Sequence, residues 1–163
     1  MKRLTQTAAE HLRVILERDG WMMETVEYPS LFKLRRALLT SEYEEVVINV
    51  RGKSKASYWM KGKREEFGIP LAELMAYIQW SKGIGIPLYI FIYEDVSRMV
   101  SFISERQAID RGRVWHGNEV DSGGSVFVPK RSMVPLAEID AGKNGETRYI
   151  NRFLPKDASR VAA

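Results

Sequence analysis

The 163-residue chain contains no cysteine, which excludes disulfide frameworks, thiolate zinc sites and cysteine nucleophiles. Histidine is scarce: His11 and His116 are the only two, too few for a multi-histidine metal centre. Long hydrophobic runs are missing as well. The longest, Ile84 to Tyr93, is broken by Gly85 and Pro87 and is far too short to span a bilayer. The opening Met1-Lys2-Arg3-Leu4-Thr5-Gln6-Thr7 has basic residues but no apolar stretch behind them, unlike a secretory signal. The expectation by elimination is a cytoplasmic protein with no membrane partner. There is no GxSxG, no Walker A sequence, no dinucleotide fingerprint and no internal repeat.

What is present suits a folded α/β domain. An apolar share of 45% with 28% charged residues is ordinary for a globular protein, and a chain of this length can bury a core without covalent staples. The patterning predicts one domain over residues 1–140 and a polar, loosely ordered tail over 141–163. The net charge of +4 is unevenly spread. Leu31 to Arg64 holds nine basic and three acidic residues, a surplus of six, so the remainder of the chain sums to −2. Such concentration of cations points to a polyanionic partner.

Thr7-Ala8-Ala9-Glu10 has the form of a capping box and predicts a helix over Ala8 to Arg18, closed by Asp19-Gly20. A strand is expected from Trp21 to Tyr28, then a short helix capped by Ser30 and carrying Leu31, Leu34, Ala37 and Leu38 on one side. Val46 to Val50 reads as a central strand, with Ala56 to Lys61 as its partner. Pro70 opens a helix through Leu71, Leu74, Met75 and Ile78, stopped by Gly83 and Gly85. Leu88 to Tyr93 is the most apolar strand, expected to pair with Met99 to Ile103. A turn at Asp121-Ser122-Gly123-Gly124, a strand over Ser125 to Val128 and a helical turn near Met133 to Ile139 complete the reading. The fold class this implies is α/β, a central mixed β-sheet flanked by helices.

The chemistry concentrates around Asn49-Val50-Arg51-Gly52-Lys53-Ser54-Lys55. In an extended strand, Arg51, Lys53 and Lys55 share one face, a natural row for successive phosphates. The alternative is an edge strand guarded by charge. Tyr58-Trp59 beside Lys61, Lys63 and Arg64 interleaves aromatic rings with cations, as single-strand binders do; the alternative is a core tryptophan next to a solvated turn. Arg111-Gly112-Arg113, followed by Trp115 and His116, is a second basic–aromatic stretch.

In its order of elements the chain from about Thr7 to Ile103 resembles the PD-(D/E)XK nuclease superfamily, which includes Holliday-junction resolvases. The residues that carry the likeness are the helix with Glu10 followed by Gly20-Trp21, the strand with Asn49-Val50-Arg51, and the unit from Gly68-Ile69-Pro70 through Tyr77, Gln79 and Trp80 to Gly85-Ile86-Pro87-Leu88-Tyr89-Ile90. The resemblance implies a restriction-endonuclease-like core and Mg2+- or Mn2+-dependent hydrolysis of phosphodiester bonds, with DNA favoured over RNA. It assigns catalytic positions to Glu10, Asn49, Arg51 and Lys53 and metal ligands to Glu10 and Glu45. The nucleic-acid contacts would come from Lys33, Arg35, Arg36, Lys55, Trp59, Lys61, Lys63 and Arg64.

The sequence departs from the family at its catalytic strand, where an acid is expected and Asn49 stands. An asparagine oxygen supplies no charge against a dication. Glu10 is also explained by the capping box alone. The second expectation is therefore a catalytically silent relative that binds nucleic acid or a protein partner, such as an accessory or inhibitory factor of a phage or mobile element. A homodimer would suit two-strand cleavage by two-fold symmetry.

Overall fold

The computed structural model describes residues 2–116 and 123–162. Helix α1 (Arg3–Arg18) buries Ala8, Ala9, Leu12, Ile15 and Leu16, a stripe at helical spacing, against the sheet. It starts well before the expected Ala8. Thr7 and Glu10 are interior helical residues, so they form no capping box. Strands β1 (Trp21–Thr25), β2 (Leu31–Ala37) and β3 (Glu42–Lys53) follow as an antiparallel meander.

The expected short helix after Ser30 is thus a strand. Its apolar residues fit a helical stripe locally, but extension places Arg35 opposite Glu45 and Arg36 opposite Glu44. The ion pairs made there, with Lys33 joining Glu45, need the sheet. Tertiary pairing overrides the local pattern.

Strands β4 (Ser57–Trp59) and β5 (Arg64–Pro70) leave the main sheet, and helix α2 (Leu71–Ile84) returns the chain to β6 (Leu88–Glu94). Strand β6 lies parallel to β3, with Val47 opposite Leu88 and Lys53 opposite Glu94. Every residue of β6 is buried, as its unbroken apolar run requires. Strand β7 (Met99–Ser104) pairs antiparallel with β6 as expected. Helix α3 (Glu105–Arg111), β8 (Arg113–Trp115), β9 (Ser125–Pro129), β10 (Val134–Glu138), β11 (Arg148–Tyr149) and β12 (Ser159–Ala162) complete the chain.

Two sheets result. The larger runs β1-β2-β3-β6-β7-β10-β11, with β12 also on β3; the smaller runs β4-β5-β9-β8. One face of the larger sheet packs on α1, while α2, α3 and the inner face of the smaller sheet cover the other. A central mixed sheet flanked by helices, the expected class, is what forms.

Three further expectations are corrected. The Ala56–Lys61 segment pairs with β5 and not with the central strand. Residues 133–139 form β10 against β7 instead of a helical turn, with a register shift between Pro135 and Ala137. The segment from 141 to 162 is not a loose tail. Phe153 is fully buried among the rings of Trp21, Tyr89, Phe91 and Phe102, and β12 pairs with β3. Asp121 and Ser122 of the expected turn lie outside the described residues.

Candidate functional site

Strand alternation puts Val46, Ile48 and Val50 under α1 and turns Asn49, Arg51 and Lys53 to the opposite side. There the end of β3 meets the start of β2 and the first turns of α2. A cleft of about 350 Å³ opens between them, lined among others by Ser30, Arg51, Lys53, Glu73 and Tyr77, with Lys2 and Thr5 from α1's start. Gly52 brings α1 close. A β carbon there would lie 2.3 Å from the Leu4 carbonyl oxygen, and the Gly52 N–H donates to Thr5 Oγ1 at 3.1 Å. Glycine at this position is what lets the helix start reach the cleft.

One hydrogen-bonded chain organises the wall. Tyr77 Oη and Ser30 Oγ are 3.0 Å apart. Asn49, fully buried, donates through Nδ2 to the Ser30 carbonyl at 3.1 Å and to Ser30 Oγ at 3.2 Å. Its Oδ1 accepts from Arg51 Nε at 2.8 Å, and the Arg51 guanidinium reaches Glu73 Oε2 at 2.6 Å. The Lys53 carbonyl accepts from the Asp95 N–H at 2.8 Å, but its ammonium has no hydrogen bond or ion pair among the described residues. Its register neighbour Glu94 is turned to Lys130 (2.7 Å), Ser97 and the Ala56 N–H instead. Burial, followed by repulsion from Arg51 and Lys2, holds the Lys53 ammonium below the usual lysine value, against a smaller opposing pull from Glu73. Three cations thus share a small space with one carboxylate.

These residues do not fit a divalent cation. Asn49 Oδ1 is occupied by a guanidinium, Glu73 is paired with the same group, and a positive charge stands where a metal would need negative ones. Among the described residues, no cluster of three or more acidic, histidine or cysteine side chains is placed to hold a metal. Glu10 is exposed on α1 and does not line the cleft. Glu45 is buried about 13 Å along β3 from Asn49 and bound by Lys33 at 2.8 Å and Arg35 at 3.0 Å. Burial alone would raise the Glu45 pKa, but these two hydrogen-bonded cations hold it below the usual carboxylate range.

The structure therefore joins Asn49, Arg51 and Lys53 and leaves Glu10 and Glu45 elsewhere. Of the expected nucleic-acid contacts, Lys33 and Arg35 belong to the Glu45 clamp, and Arg36 pairs with Glu44 and lies over the Trp21 ring. Arg64 binds Glu66 at 2.8 Å. Lys55 is exposed beyond the end of β3, so the expected row of three cations stops at two. Trp59, Lys61 and Lys63 lie on the smaller sheet and its first turn. Glu73 was not singled out by sequence, and Ser30 only as a helix cap. Reading residues 31–37 as a strand antiparallel to β3 would have found Ser30, because Leu31 is then opposite Asn49.

No family model matches the chain, and no curated protein does. Among solved structures, a nuclease from a fusselovirus is similar at 13% identity, with a TM-score of 0.48 over 81% of this chain and 84% of that one. No helix among the described residues is long and apolar enough to cross a membrane.

Proposed function

We propose that this protein binds the phosphate backbone of nucleic acid in the β3 cleft without hydrolysing it, as a catalytically silent relative of the PD-(D/E)XK nucleases. One observation carries the reading: Arg51 bridges Asn49 and Glu73 in the wall of the cleft. Among the described residues it neutralises the one carboxylate that lines the cleft, while Lys53 and Lys2 keep the surroundings positive. A hydrolytic site of the resembled kind needs acids to hold a metal and activate water. A guanidinium in that place attracts phosphate but cannot do this work. The succession α1-β1-β2-β3-α2-β6, interrupted only by β4 and β5 of the smaller sheet and with β6 parallel to β3, is compatible with the resembled core.

The test is a gel shift and a cleavage assay run together on supercoiled, linear and branched DNA, with magnesium, manganese or chelator. The expected result is binding that weakens steeply with salt, is unchanged by chelator and is accompanied by no cutting. Arg51→Ala and Lys53→Ala should each weaken it by roughly tenfold and flatten the salt dependence by about one unit of slope. Metal-dependent cutting that Lys53→Ala abolishes would overturn the reading, as would an absence of binding to every DNA form.

A further inference from the structure

The two basic–aromatic stretches of the sequence, around Trp59 and around Trp115, lie far apart in the chain but converge on the smaller sheet. Its inner face sends Phe67, Ile69, Val126 and Val128 into the core. Alternation then places Trp59, Arg64, Glu66, Phe127, Arg113 and Trp115 on the outer face, with Trp59 opposite Arg64 and Arg113 opposite Phe127. The Arg113 guanidinium lies 4.0 Å from the Trp59 ring centre and 4.9 Å from that of Phe127. Trp115 stands edge-on to Phe127 at 6.1 Å. Arg64, Trp59, Arg113, Phe127 and Trp115 therefore form a continuous row that alternates cation and ring as far as Phe127 and ends in a ring pair.

The row is held from beneath by Glu66, which is 1% exposed. It accepts from Arg113 Nε at 3.1 Å and Nη2 at 2.7 Å, and from Arg64 Nε at 2.8 Å. Burial by itself would raise the Glu66 pKa, but the two arginines hold it low and ionised. Trp59 is a support, because a β carbon at Gly62 would fall 2.1 Å from its ring. Trp115 is different: it is 53% exposed at the end of the row. Exposed Lys61 and Lys63 stand in the β4–β5 turn at the other end and have no ion pair among the described residues.

We infer that this outer face is a second binding surface, specific for single-stranded nucleic acid, distinct from the β3 cleft and independent of the cleft reading. An unpaired base stacks on Trp115, and Lys61, Lys63 and the pinned arginines follow the backbone. A duplex keeps its base faces inside the stack and offers nothing for an exposed indole to cover, so the aromatic end of the row selects unpaired strands. The surplus of cations over the single buried carboxylate favours a polyanion over an apolar protein segment.

The test is titration of the full chain with a short oligothymidylate, read by tryptophan fluorescence and by anisotropy of a labelled strand, beside a duplex of equal length. Trp115→Ala should weaken single-strand binding by roughly tenfold and Trp115→Phe much less, as stacking predicts. Lys61→Ala with Lys63→Ala should lower the salt slope by about 1.4. Trp115→Ala should leave duplex affinity unchanged while Lys53→Ala weakens it, which separates failure here from failure of the cleft reading. Equal single-strand affinity in wild type and Trp115→Ala would overturn the inference. So would single-strand binding lost only in Lys53→Ala, or no single-strand binding at all. Capture of a protein partner that Trp115→Ala releases, with no oligonucleotide bound, would replace it with a protein interface.

Discussion

Strand β3 carries charged residues at both ends, and the two ends use them differently. At its start Glu44 and Glu45 are buried, and each meets arginine or lysine from β2 across the sheet. At its finish Arg51 finds one exposed carboxylate and Lys53 finds none, in a cleft open to solvent. The residue types are nearly the same. What separates a structural clamp from a candidate binding site is the local balance of acids against cations, and whether water reaches them. Net charge over the Leu31–Arg64 stretch hides this, because three of its nine cations are spent on holding β2 to β3.

The largest effect should come from breaking the clamp. Glu45→Gln removes the negative charge that Lys33 and Arg35 share and should destabilise the fold by about 2 kcal/mol, read as a lower urea midpoint, while DNA affinity stays unchanged. The sign with pH follows from the lowered pKa. Glu45 contributes stability above its ordinary value of 4.5 and loses it as pH falls through the lower folded value. Acid should therefore lower the wild-type midpoint more than that of the variant. Equal acid sensitivity would show that the clamp does not distinguish this end of β3.

A smaller effect is expected at the open end. Glu73→Gln frees Arg51 and should tighten DNA binding by roughly threefold, yet shift stability by less than about 0.5 kcal/mol, since Glu73 is half exposed. Weaker binding would mean that Glu73 orients Arg51 for the ligand and does not compete with it. The mildest signature is in pH. Lys53 is held below 10.5, so DNA affinity should begin to fall at lower pH than an ordinary lysine would dictate, and Lys53→Arg should remove that early decline.

The same contrast explains what was legible in the residues. Val46–Val50 and Leu88–Tyr93 announce themselves because burial on both faces demands continuous apolar runs, and alternation alone brings Asn49, Arg51 and Lys53 to one side. Residues 31–37 do not, because Leu31 and Leu34 suit a helix until Glu44 and Glu45 are placed opposite Arg36 and Arg35. With β2 misread, Ser30 had no visible link to Asn49. Glu73 met Arg51 only once α2 was docked. Lys55 was aligned with its neighbours on the assumption that β3 continued, but the strand ends at Lys53. Phe153, a single aromatic in a polar stretch, has no periodicity to advertise its burial.

That phenylalanine has a consequence for how the protein comes into being. The Trp21 indole donates to the Phe153 carbonyl across 132 positions, and β12 closes the edge of β3 beside Glu42 to Glu45. Contacts of such long sequence separation form late, after the loop-closure entropy has been overcome. During synthesis, the first half of the central strand waits with an open edge and an unfilled aromatic pocket until residues 153–162 have emerged. In that interval it is a template for pairing with another nascent chain. Crowded expression, where nascent chains meet most often, should therefore lower the yield of native protein.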